Sequence, residues 1–187
     1  MKSVCLQRRF TFLILALLTT AGQTPVAAQG SPGTMRWFHT HVGGKFTFSP
    51  DGTTIAALQG FGSIGLYRVS DGMLQRILAG HTGYVASVAF SPDGQTLSSG
   101  NSDKTVKLWK VSDGALLRTL TGHTSDVDSV VFAPDGQTIA SGSYRTIELW
   151  KASDGTIQRT LRVDAGMLSS MAFSSDAQMG PSVVGPE

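Results

Sequence analysis

The chain contains a single cysteine, Cys5, among its 187 residues. After that position there is no thiol, which excludes disulfide bridges, cysteine nucleophiles and thiolate metal sites from the rest of the chain. Charged residues make up only 15% of the sequence and aromatic residues 8%, and no acid occurs in the first 50 positions. The 41% of hydrophobic residues is nevertheless typical of one globular domain.

The small excess of positive charge comes from the amino-terminal residues. The formal net charge is +2, but Lys2, Arg8 and Arg9 lie in the first nine residues. Without them, 12 bases stand against 13 acids. No strongly basic surface is therefore predicted, and nucleic acid is not an expected partner.

Residues 1–28 have the features of a secretory signal peptide. Three bases precede the apolar run 10–18, and small residues lead up to Ala28. The run is about half of the ~20 residues that a spanning helix needs, although an uncleaved membrane anchor is the alternative. We expect cleavage near Ala28, a periplasmic or secreted product without stable membrane insertion, and a flexible segment over residues 29–38.

An internal repeat is the dominant feature of the remaining sequence. The pentapeptide Phe-Ser-Pro-Asp-Gly at 48–52 recurs at 90–94 and, with one change, at 132–136, and a degraded copy lies at 173–177. Their starts are 42, 42 and 41 residues apart, and a Ser-Asp-Gly triplet keeps the same spacing. Such a period indicates repeated supersecondary units.

Each unit predicts four short strands. Alternating apolar residues are separated by Pro-Asp-Gly and Ser-Asp-Gly turns, in which Pro fixes φ and Gly accepts a positive φ. The predicted units cover residues 39–80, 81–122, 123–163 and, for a partial fourth unit that stops after its first strand, 164–176. Residues 177–187 are expected to form an irregular tail.

The repeats resemble those of the WD-repeat β-propeller family. The second unit carries the resemblance through Gly80-His81, Ser99-Gly100, Asp103 and Trp109, and the third unit repeats most of it. The family's Trp-Asp ending is replaced by Trp-Lys. The resemblance implies an all-β propeller of bacterial type, which the leader marks as exported. The number of units makes it a partial propeller of three complete four-stranded blades and a fragment of a fourth.

The resemblance also implies a hydrogen-bonded chain within each blade. In the second unit its members are Trp109, Ser99, His81 and Asp103. A buried indole N–H and an imidazole need such partners, and a satisfied network makes a blade rigid.

The other two units match this chain only in part. The third keeps Trp150, Ser141 and His123, but one residue is deleted and Tyr144 stands in the position of the aspartate. The first has Tyr67, Ala57 and Phe61 at the corresponding positions and retains only His39, so it is expected to depend on apolar packing.

Other interpretations of the repeated polar residues are less favoured. His39 and His41 could share a strand face, but no third metal ligand is near in sequence. The aspartates could form a glycosidase carboxylate pair, although a turn explains every copy. Arg76, Arg118 and Arg159 could form a basic ring, or line the outer strand with exposed charges. We predict no metal and no cofactor.

The loops suggest where a partner binds. The turns on one face of the blades are nearly identical, whereas the loops on the opposite face differ between units. Candidate contacts on that variable side are Tyr84, Asp126, Tyr144 and Arg145, because aromatic and arginine side chains are common interface anchors. Neutral drift of solvent-exposed loops is the alternative.

The leading function is a non-catalytic protein-interaction or scaffolding module. Closed propellers use 4–8 blades, so an open arc would leave an apolar blade face uncovered. A second copy could close the ring, or the chain could be an inactive shortened remnant. A propeller-type hydrolase is the remaining alternative, with only Ser87, Ser129 and Asp128 available on the first strands.

Overall fold

Alternating apolar residues and tight turns fold the chain into antiparallel strands in the computed structural model. The structure describes residues 45–59, 61–164, 168 and 170–174, and the backbone of 182–183. All of them lie in one of two compact units of the chain, Gly33–Glu187. The described residues contain no helix, and hence none that could cross a membrane.

Three blades of four strands follow one another along the chain. The first comprises β1 (Phe46–Phe48), β2 (Thr54–Gln59), β3 (Phe61–Arg68) and the first part of β4 (Leu74–Phe90). The second comprises the rest of β4, β5 (Thr96–Asn101), β6 (Thr105–Lys110) and β7 (Leu116–Thr121). The third comprises β8 (Val127–Phe132), β9 (Thr138–Ser143), β10 (Thr146–Lys151) and β11 (Ile157–Arg162). Within each blade consecutive strands pair, which confirms the all-β partial propeller.

The repeated Ser-Pro-Asp-Gly sequence forms the turn between the first two strands of a blade. In the second blade the Asp93 carboxylate accepts hydrogen bonds from the Ser91 hydroxyl at 2.5 Å and the Gln95 amide at 3.0 Å. Gly94 has a φ of 71° and donates its N–H to the Ser91 carbonyl. The left-handed conformation explains why glycine ends this motif.

The hydrophobic cores lie between adjacent blades. The first core lies between the first and second blades. Its buried residues are Ala56, Ile64, Leu66, Leu78, Val85, Phe90, Leu97 and Trp109. The next joins the second blade to the third and contains Val106, Leu108, Leu120, Val127, Val130, Phe132, Ile139 and Trp150. Each fully buried aliphatic side chain contributes about 1.5–3 kcal/mol, so the blades stabilise one another by stacking.

The junction between the first two blades differs from the predicted break at Gly80-His81. Strand β4 runs without interruption through this dipeptide, and one seven-stranded sheet therefore spans both blades. Phe61 of β3 pairs with Tyr84, which continues the ladder beyond the first blade. At the next junction, residues 122–126 are irregular and the two sheets are separate.

The fourth unit contains more than its first strand. Strand β12 (Met171–Ala172) pairs with β13 (Ser182–Val183), so the prediction of a single strand and an irregular tail misses a two-residue strand. Leu168, Met171 and Phe173 also pack on the third blade. The signal peptide, the segment 29–38, His39 and His41 lie outside the described residues, as does the rest of 177–187.

Candidate interaction face

The second blade contains the complete hydrogen-bonded chain. The Trp109 indole donates to the Ser99 hydroxyl at 2.8 Å, and the hydroxyl lies 2.8 Å from His81 Nε2. His81 Nδ1 lies 2.9 Å from the Asp103 carboxylate. Because a carboxylate can only accept, Nδ1 carries the proton and Nε2 accepts from Ser99. This hydrogen-bonded network connects the blade core to the β5–β6 loop, where Asp103 lies.

Opposing effects act on the two ionisable groups of this chain. Burial lowers the pKa of His81, although the hydrogen bond to Asp103 opposes the shift. Burial raises the pKa of Asp103, but hydrogen bonds from Thr105, His81 and Thr82 outweigh it and hold that pKa below the usual value. Neutral imidazole and ionised carboxylate are thus the stable forms near neutral pH.

The third blade has the same hydrogen-bonded network, but without the aspartate at its end. The Trp150 indole donates to Ser141 at 2.7 Å, and His123 Nε2 lies 2.6 Å from that hydroxyl. Within the described residues, His123 Nδ1 has no hydrogen-bond partner. The reason is the deletion, which shortens the β9–β10 loop to Tyr144 and Arg145. Burial lowers the pKa of His123 to about 4.

Glu148 is a buried acid that the sequence gave no reason to single out. It lies on β10 at the position of Lys107 in the second blade and is only 6% exposed. Its Oε2 atom lies 3.7 Å from His123 Nε2 and has no hydrogen-bond partner among the described residues. Burial raises its pKa. Only its equivalence to a buried lysine could have indicated this location.

The first blade uses a different polar contact. The Gln59 side chain donates to the Tyr67 hydroxyl across β2 and β3. Phe61, at the position of the network aspartate, is 62% exposed and packs edge-to-face on Tyr84. The expectation of purely apolar packing is therefore corrected: a side-chain hydrogen bond links the two strands, and Phe61 lies on the surface.

The nearly identical turns share one side of the blades, which we call the turn face (residues 49–52, 69–72, 91–94, 111–114, 133–136 and 152–155). Adjacent blades interlock there, because a Cβ at Gly94 would lie 3.4 Å from the Pro50 ring. Arg118 of β7 donates to the Ser153 carbonyl at 2.6 Å. Arg76, Arg118 and Arg159 are exposed, and each lies on the outer strand of its blade. This location fits the solvent-facing alternative to a basic ring.

The segments that differ between units share the opposite side, which we call the variable face (Phe61 and residues 80–84, 102–104, 122–126 and 144–145). Two of them, predicted as loops, are strand: Phe61 begins β3 and residues 80–84 lie within β4, because β3 and β4 stay paired up to Tyr84. Tyr84 N donates to Ser102 Oγ at 2.8 Å, and Asn101 donates to the Gly83 carbonyl at 2.8 Å. These bonds hold the part of β4 between the first two blades against the β5–β6 loop. The face is therefore supported by a rigid scaffold.

The four predicted contact residues form two groups on the variable face. Tyr84 is 66% exposed and contacts Phe61 with ring centroids 5.1 Å apart. Tyr144 is 53% exposed, and the Arg145 guanidinium lies 5.4 Å from its ring centre. Asp126 is exposed near Asp128, whose pKa is raised by burial and by that neighbour. In the described part of the chain, no ring contact joins the two aromatic groups.

Equivalent residues of all four units line one cavity at the inner strands. Its volume is about 390 Å³, and its lining repeats with the unit period: Lys45, Ser87, Ser129 and Ser170, then Phe46, Val88, Val130 and Met171. Ser87 accepts a hydrogen bond from Val130 N at 3.2 Å. None of these lining residues is a histidine, and the described residues contain no cluster of three potential metal ligands.

Comparison with known families identifies the repeats. The family model described as "WD domain, G-beta repeat" matches residues 72–110 and 114–151. Each match begins with the outer strand of one blade and ends with the third strand of the next. No curated protein matches the chain. The chain thus contains two WD40 repeats, and together with the stacked four-stranded blades they support its place in the WD-repeat family.

Proposed function

We propose that the chain is an exported, non-catalytic protein-interaction module that binds a protein partner through its variable face. WD40 repeats are typical of interaction scaffolds, but a fold alone does not fix a function. The observation that carries the proposal is the location of Phe61, Tyr84, Tyr144 and Arg145. All four are exposed and differ between the blades: Phe61 and Tyr84 lie on the paired strands β3 and β4, and Tyr144 and Arg145 form the β9–β10 loop.

The physical basis is the rigidity of these side chains. Tyr84 and Phe61 restrain each other, and Arg145 lies over Tyr144. Large side chains that are already ordered lose little conformational entropy on binding. Aromatic and arginine residues are also enriched among the anchors of protein interfaces.

The charge pattern favours a protein rather than a nucleic acid as partner. The variable face carries two bases, Lys104 and Arg145, beside the two acids Asp103 and Asp126, so its formal charges balance. Binding to a phosphate backbone would instead require several basic residues on one surface. A partner with both apolar and polar groups fits this mixture best.

The test is the loss of partner binding when the anchors are truncated. The immobilised chain is used to capture proteins from an extracytoplasmic extract, and the captured partner is then titrated against variants. We expect Tyr84→Ala with Tyr144→Ala to weaken binding at least about tenfold, equal to about 1.4 kcal/mol. Leu117→Ala, an exposed residue on β7, is the matched control. Equal binding by the two variants would contradict the proposal.

Export is tested by the mass of the chain purified from cells that make it. We expect a product that begins at Gln29, because the apolar run and the small residues before Ala28 suit cleavage there. A product that retains residues 1–28 would argue against this part of the proposal.

The hydrolase alternative depends on the cavity at the inner strands. The serine hydroxyls there have no histidine among the other lining residues to act as general base. A screen with esterase and glycosidase substrates tests this alternative, and we expect no turnover. Completion of the ring by self-association is a separate alternative.

A further inference from the structure

The Asp103 carboxylate of the second blade is surrounded by hydrogen-bond donors. It accepts from His81 Nδ1 at 2.9 Å, from the Thr82 amide at 3.0 Å and from the Thr105 hydroxyl at 2.6 Å. We call this set of three donors the carboxylate cradle. The Asp103 side chain is only 11% exposed. Several donors around one buried carboxylate favour its ionised form, so the cradle suits a negative charge.

The third blade has the same donors, but its shortened β9–β10 loop has no aspartate to accept from them. The three positions are occupied by the same residue types, His123, Thr124 and Thr146. Among the described residues, His123 Nδ1 has no hydrogen-bond partner and the Thr124 amide donates no hydrogen bond. The Thr146 hydroxyl reaches only the Tyr144 carbonyl, at 3.5 Å. The third cradle therefore has donors without an acceptor.

The His123 ring presents a donor to this cradle. The Ser141 hydroxyl accepts from the Trp150 indole at 2.7 Å, and its own proton goes to His123 Nε2 at 2.6 Å, so Nδ1 carries the ring proton. The opposite tautomer would leave the hydroxyl proton unpaired as well. The Glu148 carboxylate lies 3.7 Å from Nε2 and does not pair with Nδ1. Since His123 is 8% exposed, an unpaired N–H is buried here.

The third cradle is also less firmly closed than the second. In the second blade, two hydrogen bonds hold residues 80–84 against the β5–β6 loop and its neighbour Asn101. The third blade has Ser143 in place of Asn101, and the Ser143 hydroxyl has no partner in the described chain. No hydrogen bond joins the described residues 122–126 to the β9–β10 loop. A group from outside can therefore reach His123 without breaking a hydrogen bond between these two segments.

We infer that the third cradle binds an aspartate or glutamate side chain of the protein partner, whose carboxylate accepts from His123 as Asp103 accepts from His81. The inference rests on the proposed function and names the chemistry that the variable face recognises. Arg145, exposed on the adjoining loop, adds a positive charge that favours the same carboxylate. Asp126 of this face is exposed, so water screens its repulsion of an incoming acid.

Titration of the histidine-labelled chain with sodium acetate, followed by nuclear magnetic resonance at pH 7, tests the cradle itself. We expect the ring resonances of His123 to shift and reach saturation, while those of His81 stay unchanged because Asp103 already occupies the second cradle. Sodium chloride at equal concentration should give no such shift. A His123 spectrum that acetate does not change would overturn the inference.

A loop variant shows whether the lack of an aspartate is the cause. Replacement of Tyr144-Arg145 by Ser-Asp-Lys, the sequence of residues 102–104, supplies an internal carboxylate and should abolish the acetate response of His123. A response that persists would overturn the inference. If this variant fails to fold, Arg145→Gln decides: it should weaken acetate binding about threefold, whereas Arg159→Gln, on the outer strand of the same blade, should not. Equal affinities would overturn the inference.

The complex with the captured partner identifies the source of the carboxylate. Partner binding should shift the His123 resonances as acetate does, and replacing the contacting acid of the partner by its amide should weaken binding about tenfold. An unchanged His123 in the complex would overturn the inference and leave the proposed function standing, because truncation of Tyr84 and Tyr144 measures binding itself. A shifted His123 with binding that ignores the truncation would contradict the proposed anchors alone.

Discussion

Single buried polar residues distinguish the second blade from the third. Asp103 accepts hydrogen bonds from His81, the Thr82 amide and the Thr105 hydroxyl, and no residue of the third blade replaces it. His123 therefore keeps a buried Nδ1 atom without a partner in the described chain. A buried polar atom left without a hydrogen-bond partner costs about 1–3 kcal/mol, so the third blade contains the weaker network.

Removal of the Asp103 carboxylate should destabilise the protein. Asp103→Ala leaves the buried His81 without its acceptor and should lower the free energy of unfolding by about 1–3 kcal/mol. Asp113→Ala is the control, because Asp113 accepts from the Ala115 amide at 3.0 Å in an exposed turn. Urea denaturation followed by fluorescence measures both. Equal losses would show that the buried network adds no stability.

Replacement of Glu148 should stabilise the protein in a pH-dependent manner. Its pKa is raised in the folded state, so folding favours its protonated form, and stability falls as the pH rises above the unfolded pKa of about 4.3. Glu148→Gln should therefore raise the free energy of unfolding at pH 7 by roughly 1 kcal/mol, because it removes an unpaired buried charge. Near pH 4 the gain should vanish.

Urea midpoints at the two pH values measure this effect. Glu148→Gln should be compared with Asp154→Asn, which alters an exposed turn carboxylate whose pKa is already lowered to about 2, first by the Thr156 hydroxyl. A loss of stability on replacing Glu148 at pH 7 would mean that its charge is compensated in a way that the geometry does not provide.

At the scale of strands, the turn motifs made the blades predictable from the sequence. The junctions between blades could not be predicted in this way. The Pro-Asp-Gly and Ser-Asp-Gly turns set where strands begin and end because their geometry is local. The continuity of β4 depends on the pairing of Phe61 with Tyr84, a contact between residues far apart in sequence. Likewise β13 depends on its partner β12, since two residues carry no periodic signal.

The close packing of neighbouring blades can be tested at two equivalent glycines. A Cβ at Gly100 would lie 2.7 Å from Val127 Cγ1 and 3.0 Å from the Val127 carbonyl, whereas at Gly142 it would meet the flexible Met171 side chain. Gly100→Ala should cost about 1–3 kcal/mol and Gly142→Ala less, because Met171 can adapt. Urea denaturation compares them. A neutral Gly100→Ala would argue against this interface.

At the scale of the molecule, the family resemblance predicted the network residues but not the surfaces around them. Trp109, Ser99, His81 and Asp103 are repeated motif positions, so their meeting follows from the repeat. The exposure of Phe61 and the burial of Glu148 break the repeat, and only the packed structure shows where such side chains go.

The central claim is that each repeat forms a four-stranded blade, with an indole hydrogen-bonded in the core of the second and third blades. Hydrogen exchange of the indole N–H groups, followed by nuclear magnetic resonance, tests this most directly. We predict slow exchange for Trp109 and Trp150, each 1% exposed and bonded to a buried serine, with faster exchange in Ser99→Ala and Ser141→Ala respectively. Exchange of both indoles at the rate of an unfolded chain would contradict the account.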